Sequence, residues 1–161
     1  MIRKKGFNQK LKDYLTIYKI PIAPNSLDPQ LFYFPEDGSP AKLLPGIQSQ
    51  ILNDMEILVG EQPQRIKKFY LIGETLQPGN KNRQSALKIL VVLNKDLMDL
   101  DIDGILAEDL LKLANNLSNK LALGTSHPIN YVLTVRPINL EEHEAVYDVF
   151  QQSWLKTPKG M

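Results

Sequence analysis

Two short apolar runs stand in the middle of this chain, Ile66 to Ile72 and Ala86 to Leu93, with a polar loop between them. The first combines Ile and Leu with Phe69 and Tyr70, and the second is rich in Leu, Ile and Val. Gly73 closes the first, and Pro78-Gly79-Asn80 breaks the loop that follows. Apolar runs of this length, bounded by turn residues, read as buried strands. A chain with two such strands at its centre must build a sheet and cover it.

Helical stripes supply the cover. Phe7, Leu11, Tyr14, Leu15 and Tyr18 predict an amphipathic helix from about Asn8 to Lys19. Ile47, Ile51, Met55 and Leu58 predict a second, starting near Pro45 and ending at Gly60. Leu106, Leu110, Leu113, Leu117 and Leu121 predict a third, with Asp103 at its cap and Gly124 beyond its end. Ile129, Tyr131, Leu133 and Val135 alternate with their neighbours and predict a third strand. Asn139-Leu140-Glu141-Glu142 resembles a capping box and predicts a last helix carrying Val146, Phe150 and Trp154. Interleaved strands and helices predict an α/β or α+β fold, a small mixed sheet flanked by helices.

Six of the eleven prolines (Pro21, Pro24, Pro29, Pro35, Pro40, Pro45) fall between the first two helices. Proline removes a backbone donor, so residues 20–46 are expected to lack regular structure. Leu31-Phe32-Tyr33-Phe34 is too apolar for a linker, which predicts an extended arm packed on the domain or on a partner. The expected division is residues 1–46, helix and arm, and residues 47–161, a single α/β domain.

Composition narrows the function classes. An apolar share of 43% and a charged share of 23% are those of a globular chain able to bury a core. No apolar run approaches the roughly 20 residues of a membrane helix. The basic amino terminus has no apolar segment behind it, so no secretory signal is expected, and the absence of cysteine excludes thiol chemistry. The net charge of +1 exerts no overall pull on nucleic acid. The charge is nevertheless uneven. Arg3, Lys4, Lys5, Lys10, Lys12 and Lys19 stand against Asp13, a cluster able to contact nucleic acid or an acidic partner. Asp99-x-Asp101-x-Asp103-Gly104 repeats the first half of a calcium loop. Its twelfth position, which needs a bidentate glutamate, is Leu110. That favours an acid-decorated helix start over a metal site. His127 and His143 have no third ligand at metal spacing.

Taken in order, Leu27-Asp28-Pro29, Asp37-Gly38, Gly73, Ser85, His143, Val146-Tyr147 and Trp154-Leu155-Lys156-Thr157-Pro158 carry a resemblance. They resemble the small nucleotidyltransferase-like proteins of tailed bacteriophages. Gly73, the polar loop, Ser85 and the strand after it look like the core of the wider nucleotidyltransferase superfamily, the polymerase-beta-like fold. The resemblance implies two carboxylates on the second strand and a third on a neighbouring strand, holding two divalent metals. Here those positions fall on Ala86, Lys88 and Val132, and Glu74 replaces the serine after Gly73. None of the three supplies a ligand oxygen. The resemblance therefore implies a degenerate transferase without a cofactor: a binding or structural component, in the virion or in the cytoplasm of the infected bacterium. Its partners would be other phage proteins or further copies of itself. Two alternatives stand beside it, a magnesium-dependent nucleotidyltransferase and a nucleotide- or nucleic-acid-binding regulator.

Overall fold

The structure is a computed structural model that describes residues 27–80 and 85–159. The helix expected over Asn8 to Lys19 lies outside the described residues. The fold is α+β: a five-stranded mixed sheet, a two-stranded hairpin and two α-helices. The hairpin pairs β1 (Phe32–Tyr33) with β2 (Lys42–Leu43) and leads into α1 (Pro45–Val59). β3 (Ile66–Ile72) and β4 (Leu87–Leu93) follow, then α2 (Glu108–Leu117), β5 (Ile129–Thr134), β6 (Val146–Asp148) and β7 (Ser153–Lys156).

The sheet order is β5-β4-β3-β6-β7. Only β4 and β5 run parallel, and the connection between them carries α2, as a parallel pair requires. Alternation along β4 separates the two faces. Leu87, Ile89, Val91 and Leu93 are fully buried in the main core with Leu71, Ile51 and Leu58. Lys88, Leu90 and Val92 point to the opposite face, where a smaller cluster joins Tyr70, Ile72, Val92 and Val146. The helices cover one face of the sheet.

Local chemistry explains the boundaries of α1. Pro45 occupies its first turn, where its missing N–H costs nothing, and Gly60 ends it at φ 58° with its N–H on the Glu56 carbonyl. α2 is shorter than its leucine stripe predicts and has no side-chain cap. It stops at Ser118, whose hydroxyl donates to the Ala114 carbonyl and accepts from Tyr131 N–H. Leu121 therefore lies beyond the helix, bridged to Pro128.

Two expectations are corrected. Residues 27–44 are not without regular structure, because the hairpin β1–β2 forms there. Leu31 and Phe32 are buried, whereas Phe34 is 61% exposed and Tyr33 is also exposed. The hairpin is pinned from the far end of the chain: Trp154 Nε1 donates to the Ala41 carbonyl and Tyr147 Oη accepts from Leu43 N–H. The last helix is absent. A short 3-10 turn at Leu140–Glu142, with Asn139 Oδ1 accepting from Glu141 N–H, leads instead into β6 and β7. Val146 and Tyr147 bury on opposite faces of the sheet, as strand neighbours do. Phe150 lies exposed in the turn, and Gln152 takes φ 54° there.

A buried polar pair lies under α1. Tyr131 Oη donates to Asp54 Oδ2 at 2.6 Å, and Lys120 Nζ lies 3.8 Å from Asp54 Oδ1. Burial, then the Asp54 carboxylate, pushes the Tyr131 hydroxyl far above its ordinary range. The folded chain therefore keeps that proton after the unfolded chain has lost it, above about pH 10. The resulting stability is fully present below that pH and falls steadily as pH rises above it, toward the far higher folded-state value. Urea unfolding between pH 9 and 11 should show a falling free energy, with a contribution from this one tyrosine that totals about 1.4 kcal/mol across the window and steepens with pH. Tyr131→Phe should flatten the slope. An identical slope in the variant would show that the hydroxyl does not carry the effect.

Candidate functional site

The residues singled out by the resemblance converge where β3 ends and β4 begins. Gly73 follows β3 at φ 94° and ψ −171°, a region open to glycine alone. A Cβ on Gly73 would stand 3.7 Å from Lys88 Cβ, so the turn passes close against β4. Glu74 opens a single 3-10 turn and is exposed. Thr75 and Ser85 are buried, and neither hydroxyl has a hydrogen-bond partner.

Lys88 pairs with Ile72 on β3 and with Asn130 on β5, and Leu90 pairs with Val132. Lys88 and Val132 thus share one face as diagonal neighbours, with Lys88 exposed and Val132 half-buried. Ala86 lies one residue before the strand and is half-buried. The face they share carries an exposed ammonium where the resemblance expects metal ligands.

A carboxylate that the sequence reading missed stands on the same face, two strands away from Lys88. Asp148 on β6 is paired with Tyr70, almost fully buried, and 3.6 Å from Lys68 Nζ. Its Oδ1 accepts from Gln151 N–H. Burial, then the Asp148 charge, raises the Tyr70 hydroxyl above its ordinary range. Asp148 was hidden because its segment reads as helix, and only strand pairing brings it to this face.

A second missed group lies beyond the edge of the site. His127 is 1% exposed; its Nε2 lies 3.0 Å from Asp28 Oδ2 and its Nδ1 2.8 Å from the Ser85 carbonyl. A carbonyl only accepts, so Nδ1 carries hydrogen and the imidazole ties the turn before β1 to the start of β4. His143 follows the 3-10 turn in extended backbone, not in the first turn of a helix.

The acidic loop closes on itself. Asp101 Oδ1 accepts from Asp103 N–H and Ile105 N–H, an arrangement that shapes a turn. Asp99 and Asp103 are exposed, and Leu110 packs against the core from α2. Among the described residues no three His, Asp or Glu side chains gather as a metal-binding group. Arg3, Lys4, Lys5, Lys10 and Lys12 lie outside the described residues. No described helix is long and apolar enough to cross a membrane. Compared with family models, with curated proteins and with solved structures, the chain matches none.

Proposed function

We propose that this chain is a binding or structural protein on a scaffold that resembles the nucleotidyltransferases, with the catalytic chemistry lost. The observation that carries the reading is the position of Lys88. It is exposed beside Gly73 on the sheet face opposite the two described helices, at a place where the resemblance calls for a metal-holding carboxylate. A divalent cation there would meet a positive charge at short range, and Val132 on the next strand offers it no oxygen. Asp148 does not restore the set, since Lys68 and the Gln151 N–H already hold it two strands away. Losing metal assistance removes several kcal/mol of transition-state stabilisation, and each 1.36 kcal/mol is about tenfold in rate.

The proposed setting is a phage particle or the infected bacterial cytoplasm, with other phage proteins as partners. The full chain should incorporate no labelled nucleotide from any of the four triphosphates with magnesium or manganese. It should be recovered in purified particles at a fixed ratio to the other subunits. Metal-dependent incorporation that disappears in Lys88→Ala would overturn the proposal, because the site would then be rewired.

A further inference from the structure

The loop between β4 and α2 carries apolar and acidic side chains together. Leu97 and Ile105 are exposed, and Ile102 is fully so. Ala107 N–H donates to the Asp99 carbonyl and Asp101 N–H to the Ile105 carbonyl. These bonds close the loop on itself, so the two isoleucines are held outward by its backbone.

A groove runs beside the loop. A cavity of about 490 Å³ lies between Pro63-Gln64 and residues 96–99, and a second of about 280 Å³ continues from residues 97–99 to α2. Leu97, Met98, Leu110 and Leu113 supply the apolar lining. Asp96, Asp99 and Asp109 supply three carboxylates, and none of them forms an ion pair among the described residues. The base in the lining is Arg65, whose guanidinium is turned to the Leu58 carbonyl and to Gln62 Oε1. Residues 96–109 hold six acids and no base, and Lys95, Lys112 and Arg65 together offset half of them. The groove therefore stays negative after its neighbours are counted. It repels a phosphate backbone and attracts a basic segment with an apolar face.

The chain carries such a segment. Residues 1–19, outside the described residues, hold six Lys/Arg against Asp13, with Phe7, Leu11, Tyr14, Leu15 and Tyr18 at helical spacing. Length also fits. Asp28 is tied through His127 to Ser85, just before β4, whereas the groove opens past the other end of that strand. The seven residues of β4 cover about 23 Å. Residues 20–26 include Pro21 and Pro24, which favour extended backbone, and at about 3.1 Å per residue they cover about 22 Å. Lys19 can thus reach the end of the sheet where the groove lies.

We infer that residues 1–19 dock in this groove of the same chain. Their aromatic and leucine side chains cover Leu97, Met98 and Ile105, and their lysines meet Asp96, Asp99 and Asp109. The inference does not rest on the particle assignment, and the two tests fail independently.

A nitroxide on Gln9→Cys of the full-length protein tests it, a unique label because the chain has no cysteine of its own. The label should broaden the amide signals of residues 97–103. In Asp96→Asn/Asp99→Asn/Asp109→Asn the ratio of docked to free segment should fall about tenfold and the signals should sharpen. All three positions are exposed, so the amide spectrum of β3, β4 and β5 should stay unchanged in that variant. No broadening at residues 97–103 would overturn the inference, as would broadening that the triple variant leaves intact. Mixing isotope-labelled chain without nitroxide and nitroxide-bearing chain without isotope should leave the signals sharp. Broadening in that mixture would place the segment on a second copy and overturn docking within one chain.

Discussion

Asp28→Ala should destabilise the chain by about 3 kcal/mol, a large share of the roughly 5–15 kcal/mol that holds a typical domain. Asp28 is almost fully buried. Its Oδ2 faces His127 Nε2 at 3.0 Å, and its Oδ1 accepts from Gln30 N–H at 2.8 Å. Removing the carboxylate leaves a buried imidazole nitrogen facing a void while Nδ1 stays tied to Ser85. A buried polar group left without a partner costs about 1–3 kcal/mol, and here both the imidazole and Gln30 N–H lose theirs. For a chain of this size the midpoint should fall by about 6–12 °C. Asp28→Asn keeps an acceptor for Gln30 N–H and should recover part of the loss. Thermal and urea unfolding of the two variants decide it. A loss below about 1 kcal/mol in Asp28→Ala would mean that water or backbone takes over the imidazole, and that the pair does not hold the turn.

The pair also shows how far sequence reasoning reaches. β3, β4, β5 and α1 were legible because apolar period and Pro/Gly punctuation agree within each segment. The α+β class follows from those elements alone. Alternation put Ala86 and Lys88 on one side of their strand, while Val132 was set beside them by the resemblance alone; the parallel pairing of β5 makes it the diagonal neighbour of Lys88. The last helix was misread because Val146, Phe150 and Trp154 are spaced by four, a spacing that two short strands and a tight turn also produce. The structure separates the two: Ala145 to Val149 are five consecutive buried residues, which no amphipathic surface helix shows, and the sequence hides this because Asp148 interrupts the apolar run. Asp28 and His127 are separated by 99 residues, and no local pattern announces such a contact. Asp148 became a site residue only once β6 paired with β3.

Tyr147→Ala should have the largest effect of any single change, about 4 kcal/mol, because one ring joins the hairpin to the sheet. Tyr147 is fully buried on β6. Its ring lies 5.6 Å from that of Phe32 on β1, edge to face, and 5.0 Å from that of Trp154 on β7. Phe32 and Trp154 are themselves 5.4 Å apart, so the three rings form a closed cluster. Deleting the central ring opens a cavity that the other two cannot fill without moving the hairpin off the sheet edge. It also leaves Leu43 N–H without the hydroxyl that accepts its hydrogen bond. Tyr147→Phe separates these contributions, since it keeps the ring and loses only that acceptor, at a cost of about 1–3 kcal/mol. Trp154 is the single tryptophan and reports the event directly. Its Nε1 bond to the Ala41 carbonyl should break in Tyr147→Ala, shifting its emission to the red before global unfolding, and should survive in Tyr147→Phe. If the two variants lose equal stability and show the same emission, the hydroxyl alone would hold the hairpin, and the ring cluster would be packing without a clamp.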